Sequence, residues 1–377
     1  MTEKLKTLLD ERASAVDFPL PDLDAVRRAG RRRRHSRYAA TAAGGLAAAA
    51  VVAGLVVVLA PGDDAPGRAV DPAAPAGRPP EPTYLAGSTV HLLDGTTVVD
   101  VGRPVASYVA TGQGFVAAGR DGAVWSVLRG ADGAYAVERV GQTDERDSDL
   151  VHDPATSQVG WVDPSGAAPA YVVLDTATGE QQTLDVDTTG MAVLDDEADP
   201  ASFYALDAGT AYLRSTGGAV ALDLADGTTR PLGPTENGFD LVAARDGDVV
   251  FGTDEGLAIG PRTDQPRLRL DGQYASTAVF SPDGAWLTLD AETATVVDTA
   301  SGELVELGLP GFSVGYDWLP DGRLLALAVE DPAPGASFLA CTVPTGSCET
   351  LAGDQVDADT LESGTFVLPA GADMSDD

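Results

Sequence analysis

The stretch Phe280-Ser281-Pro282-Asp283-Gly284-Ala285-Trp286-Leu287 reads as a tight reversal between two strands. Pro-Asp-Gly lies at its centre, where Asp-Gly tolerates the positive φ that a short hairpin turn demands, and apolar residues stand on both sides. The pattern returns as Trp318-Leu319-Pro320-Asp321-Gly322-Arg323-Leu324-Leu325. Asp-Gly pairs recur at 94, 121, 132, 226, 246, 271, 283 and 321. Turn aspartates at 121, 163, 207, 246, 283 and 321 are spaced by 42, 44, 39, 37 and 38 residues. A period of about 40 residues built from short strands is the mark of a propeller blade, and roughly seven such units fit residues 83–369.

Short apolar runs between the turns supply the strands: Thr89–Leu93, Ala123–Leu128, Ala170–Leu174 and Arg323–Leu327. The competing arrangement is a pair of β-sandwiches with coincidental spacing. Two further segments favour the propeller. Val297-Asp298-Thr299-Ala300-Ser301-Gly302-Glu303 and Val173-Leu174-Asp175-Thr176-Ala177-Thr178-Gly179-Glu180 repeat an Asp-x-x-Ser/Thr-Gly hairpin. With the Ser-Pro-Asp-Gly stretch, they resemble the blade motifs of WD40-like, TolB-like propellers. The resemblance implies an all-β fold of about seven blades, each hairpin joining a blade's two outer strands. It covers most of residues 150–330, and the first two blades match it poorly.

The N-terminal part is of another kind. Residues 2–16 suit an amphipathic helix capped by Thr2, with Leu5, Leu8, Leu9, Ala13 and Val16 on one side. Asp17 to Pro21 interrupts it, and residues 22–37 form a second helical candidate ending in Arg31, Arg32, Arg33, Arg34 and Arg37. Residues 38–60 carry no charge, long enough as a helix to span a bilayer core of ~30 Å. The arginine cluster before this stretch and Asp63-Asp64 after it orient the N-terminus to the cytoplasm. The same arginines suit anionic lipid headgroups better than nucleic acid. A cleaved signal peptide fits less well, because the preceding region is too long and Pro61 follows directly; no Cys follows, as a lipoprotein signal requires. Residues 61–82 hold seven prolines and form a linker reaching on the order of 60 Å. Residues 370–377 are expected to be an acidic, disordered tail. This layout resembles actinobacterial single-pass membrane proteins carrying an extracytoplasmic propeller.

Charge separates the two regions sharply. Residues 1–38 contain ten Lys/Arg and six Asp/Glu, leaving 14 basic and 52 acidic residues for the rest of a chain whose formal charge is -34. So acidic a body repels nucleic acid and anionic lipid, which excludes both as partners of that domain.

The residues available for chemistry are few. Cys341 and Cys348 flank a segment in which Val343-Pro344-Thr345-Gly346 suits a type I turn, setting the two thiols opposite each other across a hairpin. Outside the cell a disulfide is expected there; free thiols or a metal pair are the alternatives. Gly311-Phe312-Ser313-Val314-Gly315 matches the nucleophile-elbow pattern, yet no His follows Ser313 and a turn follows where a helix is needed. Asp185, Asp187, Thr189, Gly190 and Asp196 match parts of a calcium-loop template, without flanking helices and with Asp in place of the final Glu. Asp144 to Asp149 reads as a solvated charged loop. His91 and His152 stand alone in sequence and are expected on the surface or packed rather than in a channel.

The chain is therefore expected to be a membrane-anchored binding or sensing module for a protein, peptide or cell-wall ligand, with no cofactor and no catalytic residues. The tail resembles those of membrane regulators encoded beside actinobacterial sigma factors, although it lacks the His and Cys of a zinc-type domain. The second expectation is thus a regulator whose tail binds a cytoplasmic protein. A propeller hydrolase or lyase is the third.

Overall fold

The computed structural model describes residues 83–369 except 94–97, 131–132, 147, 154–155, 194–199, 234–240, 276, 290–293, 310, 320, 330–334 and 363. The tail, the 38–60 stretch, the linker and the acidic C-terminus lie outside these residues. Among the described residues no helix is long and apolar enough to cross a membrane.

The strands form seven antiparallel four-stranded sheets, the blades of a β-propeller. Blade 2 uses Val105–Thr111, Gly114–Gly119, Ala123–Arg129 and Tyr135–Gln142 in sequence order. Blade 3 begins at Val151–His152, blade 4 at Phe203–Asp207, blade 5 at Leu241–Arg245, blade 6 at Ala278–Phe280 and blade 7 at Phe312–Trp318. First strands of neighbouring blades touch one another, so they are innermost, around the central channel. Blade 1 is assembled from both ends of the domain. Thr83–Ala86, Thr89–Leu92 and Val98–Asp100 supply its outer three strands, and Phe366–Val367 supplies the innermost, with Leu85 opposite Val367 and Ala86 opposite Phe366.

Burial explains the sequence pattern. The apolar core is divided into seven slabs, one between each pair of adjacent blades. A middle strand feeds two slabs at once through its alternation: Tyr171 and Val173 face blade 4, whereas Val172 and Leu174 face blade 2. Such strands are buried on both sides and read as continuous apolar runs, as in Leu324–Val329. Outermost strands such as Glu180–Leu184 and Leu304–Glu306 are short and largely exposed and each carries a glutamate, which discourages edge pairing with other chains. Close packing sets two glycines. A Cβ on Gly141 would meet the ring of buried Trp161 at 2.7 Å, and one on Gly160 would meet Phe203 at 2.5 Å.

The turn code holds, with a change of phase. Asp207, Asp246, Asp283 and Asp321 mark the turn between first and second strands of blades 4 to 7. Asp121 and Asp163 instead mark the turn between second and third strands of blades 2 and 3, so the five spacings combine two structural positions. The Asp-x-x-Ser/Thr-Gly segments join the two outer strands of blades 3 and 6, as expected.

Cys341 and Cys348 face each other across the third and fourth strands of blade 7 and are joined as a disulfide. Two details depart from expectation. The Val343–Pro344 bond is cis, so the loop is not the simple type I turn; it closes through the Gly346 N–H donating to the Thr342 carbonyl at 3.0 Å. Although a hairpin joining a blade's two outer strands is expected to be exposed, Cys341 is fully buried in the slab between blades 6 and 7, beside Leu324 and Trp318. A hydroxyl there would be buried without compensation, so alanine is the replacement that adds no buried polar group. Cys341→Ala with Cys348→Ala should lower unfolding free energy by about 2.5 kcal/mol, the loop-entropy value for so short a ring, and leave a folded β-rich protein. Denaturant titration checks this, and loss of folding would contradict the local role of the bridge.

Candidate functional site

Antiparallel order sends the first-to-second and third-to-fourth turns of blades 2 to 7 to the same face of the ring. Those turns need Asp and Gly for backbone reasons, so carboxylates accumulate there. Ala208-Gly209 and Asp246-Gly247 are two-residue turns with both members at positive φ. For Ala208 and Asp246 that conformation is unfavourable, and the neighbouring blade holds each in place. The buried Asp153 accepts from the Ala208 N–H at 2.9 Å, and the buried Asp207 accepts from the Asp246 N–H at 2.7 Å. Arg245 lies 3.4 Å from Asp207 and donates to the Pro282 carbonyl at 2.6 Å. Trp318 continues the chain by donating its indole N–H to the Val279 carbonyl. Blades 3 to 7 are thereby linked by one polar clamp per junction. Burial raises the Asp207 pKa, an effect countered by the Asp246 N–H and the Arg245 charge.

Inside the ring, inner strands bring together residues remote in sequence. His152 of blade 3 and Asp317 of blade 7 interact electrostatically across the channel. Both lie deep within the ring yet keep some water-accessible surface. Burial lowers the His152 pKa, with Asp317 and Asp153 acting in the opposite sense; burial raises that of Asp317, with His152 opposing. Nearby, the Tyr316 hydroxyl is buried without a hydrogen-bond partner among the described residues, whereas the Tyr108 hydroxyl pairs with Thr83 Oγ1 at 3.0 Å.

A second feature opens on the carboxylate-rich face between blades 4 and 5. This cleft of about 380 Å³ is lined by Asp207, Asp223, Asp226 and Asp246, with Thr210, Tyr212, Thr228 and Arg230 among its other walls. Asp223 and Asp226 belong to the outer hairpin turn of blade 4, where Oδ1 of each accepts from a turn N–H, of Ala225 and Thr228, at 2.8 Å.

The residues singled out in the sequence are dispersed. His91 stacks on Tyr84 with ring centroids 4.6 Å apart, packed as expected, but His152 belongs to the channel group, contrary to expectation. Ser313 lies on the innermost strand of blade 7, not at an elbow, and its buried Oγ accepts from the Ala294 N–H at 3.2 Å. Asp187 is tied to Thr189 and Thr216, and Asp196 lies outside the described residues. Asp144 accepts from the Arg146 N–H in the connection between blades 2 and 3. Among the described residues no three His, Cys, Asp or Glu side chains are placed to hold a metal ion. Arg31 to Arg34 and Arg37 lie outside the described residues. Sequence reading missed the channel group and the cleft; the Asp-Gly spacing was the one signal pointing to the latter.

The strand order defines the class: a seven-bladed β-propeller closed by its C-terminal strand. Among solved structures it is similar to TolB from Acinetobacter baumannii (TM-score 0.41, 11% identity, 74% of this chain and 65% of that one). It is also similar to AztD from Citrobacter koseri (0.49, 11%, 76% and 96%) and Sqt1 from Saccharomyces cerevisiae (0.47, 15%, 74% and 85%). With TM-scores below 0.5, these likenesses carry no argument about ligand, partner or activity. No protein-family model matches the chain, and no curated protein matches it.

The channel pair is open to direct measurement. Because Asp317 partly restores the His152 pKa, Asp317→Asn should lower it further, read from imidazole NMR; a His152 pKa above the ordinary 6.5 would contradict the arrangement. The stability consequence also has a sign. A carboxyl whose folded pKa is raised contributes stability below its unfolded pKa and loses it as pH rises through the folded value. Asp317→Asn should therefore gain on the wild type as pH rises above about 4, the unfolded carboxyl value.

Proposed function

We propose that the chain is a membrane-anchored, extracytoplasmic propeller that binds a protein, peptide or cell-wall ligand on the face carrying its carboxylate turns. The observation supporting this most strongly is the rigidity of that face. Its turns are clamped blade to blade by Asp153, Asp207 and Arg245, and they line a cleft. A rigid scaffold presenting short loops suits recognition, because little conformational entropy is lost on binding. The anchor rests on the charge-free 38–60 stretch behind Arg31 to Arg34 and Arg37, with the bilayer as partner. The Cys341–Cys348 bond fits an oxidising compartment. A second reading keeps the same anchor and adds a cytoplasmic protein partner for residues 1–37, favoured by the two helical segments of that tail.

Protease added to intact protoplasts should remove the chain beyond the linker and leave the 1–37 tail protected; a protected propeller would overturn the orientation. On intact cells, a photoreactive residue at exposed Asp283, on the proposed face, should give a discrete surface adduct. The same probe at Ser165, on the opposite face, should not. Equal labelling from both sites would count against that face as the binding surface.

A further inference from the structure

The cleft between blades 4 and 5 is the part of the proposed binding face whose chemistry is most specific. Its walls carry four aspartates and one arginine. The arginine, Arg230, is engaged at the rim, donating to the Pro261 carbonyl of blade 5 at 3.1 Å. Asp207 is committed to Asp246 and Arg245 and acts as a fixed, buried wall. Asp223 and Asp226 are exposed, and their turns occupy Oδ1 of each.

A cluster of carboxylates alone would be a solvated surface. Tyr212 makes this one different. Its side chain is only 2% exposed, it lines the cleft, and no described residue hydrogen-bonds its hydroxyl. Burial first, then the surrounding carboxylates, raise its pKa to about 12, so it remains a neutral hydroxyl able to donate or accept. A buried hydroxyl that opens on a cleft without an internal partner is complemented by a ligand or by water.

The shape limits the ligand class. The volume falls within the range of small-ligand sites, ~300–1,000 Å³, but the lining is polar and the cleft is open to solvent. That suits the end of a longer chain reaching in, rather than an enclosed apolar molecule. Among the described residues no three His, Cys, Asp or Glu side chains are placed to hold a metal ion.

We propose that this cleft binds the terminal ammonium or guanidinium group of a lysine- or arginine-type chain, with Asp223 and Asp226 supplying the charge and the Tyr212 hydroxyl a hydrogen bond at the floor. This deepens the proposed function and rests on it. Lysine and arginine side chains of a peptide and free polyamines share this chemistry.

The test uses the full chain in detergent and isothermal titration with capped Gly-Lys-Gly, capped Gly-Arg-Gly, capped Gly-Gln-Gly, spermidine and calcium chloride. The lysyl and arginyl peptides should bind, and the glutaminyl peptide should not. Binding should weaken as salt rises, because the charges lie near the surface. Asp223→Asn and Asp226→Asn keep an oxygen for the turn N–H groups; together they should weaken binding by about tenfold or more, since charge-assisted bonds are the strong ones. Tyr212→Phe, which removes only the hydroxyl, should weaken it by about threefold or more. Asp298→Asn alters the same type of turn in blade 6 and should change nothing. Tighter binding of the peptides than of spermidine identifies a peptide source, and the reverse order a polyamine. Equal binding of lysyl and glutaminyl peptides, binding of calcium alone, or insensitivity to the Asn and Phe variants overturns the cation site. A surface adduct from Asp283 that persists in those variants shows that the binding-module reading survives such a failure; absence of any adduct fails that reading instead.

Discussion

Everything in this propeller depends on the pairing of Phe366–Val367 with Leu85–Ala86. Six blades are continuous in sequence and could form an open arc without it. The seventh slab could not, because it is built from Tyr84, Phe366 and Leu368 of blade 1 against Val314, Tyr316 and Phe338 of blade 7. Each such buried aromatic or aliphatic side chain is worth ~1.5–3 kcal/mol of burial. Closure thus adds one complete inter-blade interface for the ordering of two residues. It also removes the edge that the first strand would otherwise present to other chains.

Closure has a functional consequence as well. The channel exists only in a closed ring, and the charge of Asp317 acts on His152 across it because blades 3 and 7 are held on opposite sides. The clamps at the carboxylate face act at the same junctions. Asp207 stabilises the backbone of the next blade's turn while forming a wall of the cleft, so fold and candidate site share a residue. Its raised pKa reflects a buried charge that the Asp246 N–H and Arg245 only partly offset. Removing Asp207 would disturb both roles at once, whereas Asp223 and Asp226 can be changed with their turns intact.

The blades were legible in the sequence because a tight turn constrains its own residues. Asp246-Gly247 needs positive φ at both positions, and Asp-Gly is the local answer. The blade count followed from spacing, although Asp121 and Asp163 mark a different turn from Asp207 and its successors. The slabs were legible only as apolar runs, since which side of a strand meets which blade depends on the ring. The electrostatic influence of Asp317 on His152 was not legible, because action across the channel leaves no trace in local sequence. Burial of Cys341 was hidden for the same reason: its neighbours Ala294, Val296 and Leu307 belong to blade 6. The cleft was half legible. Its aspartates stood out as turn residues, but the role of Tyr212 depends on a strand alternation that sequence alone does not orient.

Closure is tested most directly by native-state hydrogen exchange resolved to peptides. Segments Thr83–Ala86 and Phe366–Val367 should be protected to the same degree as the inner strands Phe203–Asp207 and Leu241–Arg245, because all belong to one closed, cooperative ring. Rapid exchange in the two closing segments, with the other inner strands still protected, would mean an open arc and contradict the account.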